Sequence, residues 1–182
     1  MRHRATAIEI DPAAIVAEAR DWLGTPYRHQ ASLKGVGCDC LGLIRGVWRG
    51  VLGPEPEAAP PYAASWAESA PAGTDPLAEA AGRHLVPLAL ARDGPEPGAV
   101  LLFAFRRHLP ARHCAVATGA GTMIHAHDGA RVAEVALTPW WRRHLAHAFR
   151  FPGAASPGAA GTQPDETVSL TPRTSMTLRT VS

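Results

Sequence analysis

The sequence predicts an α+β fold in which N-terminal helices pack on a small antiparallel β-sheet. Two segments between residues 12 and 50 carry apolar residues at helical spacing, short β-type runs follow residue 97, and Gly119-Ala-Gly121 joins two of those runs as a hairpin turn. Helices first and strands afterwards is an α+β layout. A chain of 182 residues holds one domain with a real core, and a second full domain is not expected.

Asp11-Pro12 is a helix start, a capping residue followed by proline at the first helical position. Ile15, Val16, Ala19, Trp22 and Leu23 then recur on one face until Gly24, so the first helix is expected over 12–23. Gly24-Thr-Pro-Tyr27 reads as a turn and 28–37 as a polar, glycine-punctuated loop. A second helix is expected from Cys40 through Leu43, Ile44, Val47 and Trp48 to about Gly50. Residues 51–97 are rich in Pro, Ala and Glu and read as a surface insertion with one short helix after Thr74-Asp75-Pro76 and no assigned chemistry. Strands are expected over 98–105, 113–118 and 122–126, with two more over 132–137 and 146–151. The domain is thus assigned to 1–151. Residues 152–182 form a separate tail, Pro/Gly-rich and then Thr/Ser-rich, whose alternating Val168, Leu170, Met176 and Leu178 suit strand addition to a partner's sheet edge. A plain disordered tail is the competing reading.

Composition narrows the function classes. Net charge is +2, Lys34 is the only lysine, and no Lys/Arg block interleaves with aromatics, which argues against direct nucleic-acid binding. No segment is apolar for long enough to insert into a membrane, and Met1 to Asp11 lacks the apolar core of a secretory signal, so synthesis as a cytoplasmic chain is expected. The three cysteines, Cys38, Cys40 and Cys114, do not make a disulfide framework and read as free or reactive thiols.

The chemistry concentrates around Cys38-Asp39-Cys40. A cysteine at the first turn of a helix has its thiolate favoured by unpaired backbone N–H groups and the helix dipole. Asp39 is placed to cap that helix, leaving the Cys40 backbone N–H free to face a developing oxyanion. A thiolate nucleophile needs a base and a group to orient that base. His113 opens one strand of the predicted hairpin and His125 closes the next, so the two imidazoles can meet across the ladder. His127 points to the same face and competes with His125 for the third place.

These segments, Gly24-Thr-Pro-Tyr27, Asp39-Cys40-Leu41-Gly42, Pro97-Gly98-Ala-Val-Leu-Leu-Phe103, His113-Cys-Ala-Val116 and Met123-Ile-His125-Ala126, together resemble the NlpC family of papain-like cell-wall cysteine peptidases. The resemblance spans about residues 13–151, with all five blocks in family order. It implies a helix-borne cysteine on a barrel-like antiparallel sheet, a triad of Cys40, His113 and His125, a tyrosine near the nucleophile matched by Tyr27, and no cofactor or metal. The implied reaction is hydrolysis of an amide in the peptidoglycan stem peptide, commonly between D-γ-glutamate and the diamino acid. Cys38 stands where the family usually has an aromatic, Leu41 where it often has Ser, and Ala99 where it often has Asp. The variant is most similar to the branch found in phage tails and gene-transfer-agent particles, which implies a virion component acting on the wall from outside and held by tail-hub or baseplate proteins through residues 152–182.

Other readings compete. The chain is alternatively a structural tail-hub or wall-binding component with a vestigial site, or an acyltransferase using the same thioester. A zinc site from Cys38, Cys40, His113 and Cys114 is disfavoured because the first two are spaced by one residue rather than two to four. Cys38 and Cys114 are otherwise expected to pack, and Trp140-Trp141 to close the core or line a partner contact. Arg28, Arg106, Arg107 and Arg112 suit stem-peptide carboxylates, although a solvated face is the commoner fate of such residues.

Overall fold

The computed structural model describes residues 9–156, apart from 64, 65, 67, 68, 92, 107 and 120. The chain opens with helix α1, Pro12–Arg20, capped by the Asp11 carboxylate, which accepts from the Ala13 N–H at 2.8 Å. The helical pattern was expected to run to Leu23. Instead Asp21 to Gly24 close as tight turns, with the N–H groups of Trp22 and Leu23 bonded three residues back, and Trp22 is still carried into the core. A two-residue hairpin that the periodicity does not reveal follows, β1 (Ser32–Leu33) with β2 (Gly37–Cys38). Helix α2, Cys40–Leu52, begins at the residue expected and runs two residues beyond Gly50.

After α3 (Pro76–His84) come β3 (Val86–Leu88), β4 (Val100–Phe103), β5 (His113–Ala117), β6 (Thr122–His125), β7 (Ala133–Ala136), α4 (Pro139–His144) and β8 (Leu145–Arg150). All five strands expected after residue 97 are present, four of them trimmed by a residue or more and the last shifted one residue toward the N-terminus; β3 and α4 were not anticipated. The six long-range strands form one antiparallel sheet in the order β3-β8-β4-β5-β6-β7. The sheet is open, with β3 and β7 at opposite edges, in keeping with the small antiparallel half-barrel expected.

The pleat sorts the core. Val100, Leu102, Cys114, Val116 and Ile124 face the helices and pack with Ile15, Ala19 and Trp22 of the first helical segment and Leu43 and Val47 of α2. Leu101, Phe103, Ala115, Ala117 and Met123 face the other side, under Leu137, Trp141 and Leu145. Because α2 lies on β5, the first turn of the helix is brought to the end of the strand where His113 and Cys114 sit.

Candidate functional site

Helix α2 is anchored at its start by Asp39, whose backbone is extended while its side chain reaches into the first turn. Oδ1 accepts from the Gly42 N–H at 2.7 Å. The other oxygen accepts from the Gln30 N–H at 2.6 Å and from the Tyr62 hydroxyl at 2.6 Å. Asp39 is only 2% exposed, and a polar group so deeply buried needs its lone pairs occupied in this way. The expected capping role is therefore present, with two further donors from outside the helix.

Cys40 stands at the first helical position, partly exposed. Its thiol is held well below the ordinary range, first by hydrogen bonding with the Cys114 thiol, then by hydrogen bonding with and the charge of His113, against the opposing effect of burial. Cys114 is pushed well above the ordinary range by its bond to Cys40 and by burial, so it is the thiol that stays protonated and donates. Cys114 was expected only to pack. It does fill the core face of β5, and it also touches the nucleophile candidate.

His113 and His125 meet as the hairpin geometry implied. His113 Nε2 lies 2.9 Å from His125 Nδ1, with the ring planes at 82°. Both rings are buried, at 7% and 6% exposure. The observed pairing of Val116 with Ile124 and Ala117 with Met123 puts His125 diagonal to His113 on the same face, within reach of long side chains. Burial, with the charges of His113 and His127, depresses His125 to about 4. A neutral His125 whose Nδ1 accepts from His113 Nε2–H leaves His113 Nδ1 for the thiol. His127 is exposed, with its ring centroid 6.1 Å from that of His113 and its Nδ1 3.0 Å from the Asp128 carbonyl oxygen.

Tyr27 is half-buried beside the site. Its phenol is pushed up to about 12 by burial and by the negative charges of Asp39, Cys40 and Asp128. The backbone of the turn is tied to the loop after β6 by Gly24 N–H to Val132 O and Tyr27 N–H to Ala130 O. Cys38 is fully buried, with its thiol pushed up to about 12 chiefly by burial, and acts as a packing residue. Among the described residues no group of three or more His, Cys, Asp or Glu is placed to hold a metal ion, so the four-residue zinc set weighed above is not assembled.

Two contributors were missed in the sequence. Trp141, on the short helix α4, packs its indole 5.5 Å from His113 and 5.4 Å from His125, centroid to centroid, and so shields the imidazole pair. Tyr62 comes from the insertion to which no chemistry was assigned. The same insertion, with Leu41, Ile44 and Trp48 of α2 and Leu102 of β4, encloses a mostly apolar cavity of about 410 Å³ that reaches Cys40 and Cys114. Arg112 lines this cavity. Arg28 and Arg106 are exposed, and Arg107 lies outside the described residues, as does the tail beyond residue 156.

A thiol at a helix start, an imidazole against it and a second imidazole behind the first make an arrangement for nucleophilic attack on a carbonyl. The NlpC/P60 family profile matches residues 24–150, more than two thirds of the chain. The chain belongs to the NlpC/P60 family. Solved structures with this NlpC/P60 fold include the NlpC/p60 domain of the peptidoglycan hydrolase SagA, 24% identical with a TM-score of 0.52, covering 78% of this chain and all of that one. An NlpC/P60 family protein from Bacillus cereus is 20% identical with a TM-score of 0.56, over 83% of this chain and 43% of that one. NlpC2 from Trichomonas vaginalis is 16% identical with a TM-score of 0.55, over 81% and 50%. The chain thus spans half or less of the last two proteins. No curated protein matches.

Proposed function

We propose that this NlpC/P60 domain is a cysteine peptidase that cuts an amide bond in the peptidoglycan stem peptide, with Cys40, His113 and His125 as a relay of nucleophile, base and orienting group. The observation that carries the reading is the join of the depressed Cys40 thiol to His113 and of His113 to His125 at 2.9 Å. In the reaction the Cys40 thiolate attacks the amide carbonyl, and the oxyanion forms beside backbone N–H groups at the start of α2, which have no partner within the helix. His113 delivers its proton to the departing amine, leaving a thioester on Cys40. It then takes a proton from water, which attacks the thioester, releases the carboxylic product and restores the thiol.

The substrate class follows from the family and is supported by the name of one structural neighbour, the domain of a peptidoglycan hydrolase. The bond between D-γ-glutamate and the diamino acid is the first to test. Delivery on a phage-like or gene-transfer-agent tail, with residues 152–182 as the attachment to hub or baseplate proteins, belongs to the same proposal and rests on the likeness of the five sequence blocks to that branch. The test is mass spectrometry of fragments released from diamino-acid-type peptidoglycan by the wild type and by Cys40→Ser, with purified tail particles assayed in parallel. Defined stem-peptide fragments from wild type alone are expected, with a loss of at least about 10³-fold in the variant. Silence from well-folded wild type across several wall types would end the hydrolase reading.

A further inference from the structure

The segment after α2 folds back as a strap along the helix. Glu55 accepts from Arg45 Nε at 2.6 Å and also from Arg49, while Trp48 Nε1 donates to the Pro54 carbonyl at 3.1 Å. The strap then reaches the start of α2. There the Tyr62 backbone carbonyl accepts from Gln30 Nε2 at 2.7 Å and lies 2.9 Å from His29 Nε2, and the phenol ring stands edge-on to His29 with centroids 5.2 Å apart. Held at both ends, the phenol donates a hydrogen bond to Asp39 Oδ2 at 2.6 Å. Gln30, whose N–H supplies the other donation to that oxygen, has a φ of 61°, a left-handed backbone uncommon for a residue with a Cβ. Two separate pieces of chain are thus shaped to converge on one carboxylate oxygen, next to the residue that carries the thiol.

We propose that Tyr62 is a positioning residue for the nucleophile, acting through Asp39: its hydroxyl occupies the outer oxygen of the helix cap, fixing the first turn of α2 and partly neutralising the carboxylate beside the Cys40 thiolate. The insertion is then a working part of the site, in addition to its structural contacts. The physical reason is the competition between two neighbouring anions. Asp39 accepts three donations, two of them on Oδ2, and an uncompensated carboxylate charge next to Cys40 disfavours the thiolate. A short bond to an ionised acceptor draws the carboxylate's charge toward the strap. The phenol itself stays protonated, raised by burial and by its bond to Asp39, so it remains a donor across the working range. His29 Nδ1 also faces Asp39 Oδ2, at 3.5 Å, and the other groups around the thiol are His113 and Cys114 from β5, Tyr27 from the turn before β1, and Arg112, which lines the same cavity; Arg45 on α2 is engaged by Glu55.

The inference deepens the proposed peptidase reading, and its test does not depend on it. The rate of Cys40 alkylation by iodoacetamide, followed against pH on the full chain with Cys40→Ser as the blank, reads the thiolate without any substrate. Tyr62→Phe keeps the ring and deletes the donor. Its alkylation midpoint is expected to move up by about 0.5 to 1 pH unit, a change in the range a single charge-assisted hydrogen bond produces. In the Asp39→Asn background the same Tyr62→Phe change is expected to move nothing, because the charge it tempers is gone. Superimposed profiles for wild type and a folded Tyr62→Phe would overturn the proposal, as would an equal shift in both backgrounds. If Tyr62→Phe does not fold, Asp39→Asn alone is read: a lowered midpoint supports charge coupling between cap and thiol, and an unchanged one overturns it. On peptidoglycan, Tyr62→Phe is expected to lower kcat about 3- to 10-fold with little change in KM.

Discussion

His125 is the residue whose part is most sharply set by geometry. It ends β6 and His127 follows two residues on toward the same face, and the sequence offers no way to choose between them. The structure places His125 Nδ1 against His113 and leaves His127 exposed beside Asp128. His125→Ala is expected to lower kcat on the order of 10²-fold, with His125→Asn partly restoring it through its side-chain oxygen. Steady-state kinetics on a defined stem peptide measures this, and an unaffected His125→Ala beside a crippled His127→Ala would transfer the role to His127. Cys114 shows the opposite situation, since nothing in its spacing separates a packing cysteine from one that donates to a neighbouring thiolate. The difference arises from the face of β5 that α2 covers.

At the scale of the element, α2 works because two glycines let its neighbours close in. A Cβ on Gly42 would stand 1.9 Å from the Ala31 carbonyl oxygen, a backbone atom in the loop whose carbonyl also accepts the Asp39 N–H. A Cβ on Gly46 would stand 1.9 Å from Cζ2 of the buried Trp22 ring. Alanine in a helix is worth up to about 1 kcal/mol over glycine, and overpacking of this kind costs roughly 1–3 kcal/mol and more against backbone. Gly42→Ala and Gly46→Ala are therefore expected to destabilise by a net of about 1–2 kcal/mol. At Gly50 the neighbour is the flexible end of Glu18, so Gly50→Ala is expected to be neutral or stabilising. Urea titrations decide it, and a gain in stability from Gly42→Ala or Gly46→Ala would disprove the close approach. The helix itself was legible in the sequence from its capping aspartate and apolar spacing, whereas β3 and α4 were not. β3 is a three-residue edge strand with a proline at its centre, and α4 is six residues long and buries no residue fully, so neither produces a periodic signal.

For the whole molecule, acid is the expected weakness. His125 is held neutral by burial, at about 4 in the fold against 6.5 for an ordinary histidine. The unfolded chain therefore binds the extra proton first, and stability falls as pH drops from about 6.5 toward 4. Glu134 adds to this from β7, because its bond with Arg20 of α1 holds it at about 2. A depressed carboxylate stabilises above its ordinary range and loses that contribution as pH falls toward 2. Calorimetry is thus expected to give a lower Tm at pH 5 than at pH 7.5, with a smaller drop in His125→Ala. Equal drops in the two proteins would show that His125 is not kept neutral by the fold.

The sequence by itself determined the fold class, the start of helix α2 at Cys40, the Asp39 cap and the hairpin that presents His113 and His125. Each of these is local, resting on a cap, a period or a turn that a few neighbouring residues specify. Only the tertiary structure decided that the sheet stays open, that His125 rather than His127 bonds His113, that Cys114 touches Cys40, and that Tyr62 contacts Asp39 and Trp141 the imidazole pair. Those contacts join residues far apart in the chain, and a proline-rich insertion without periodicity carries no mark of where its one tyrosine will land. Long-range packing sets that position, through the Glu55 clamp on α2 and the grip of His29 and Gln30 on the Tyr62 carbonyl.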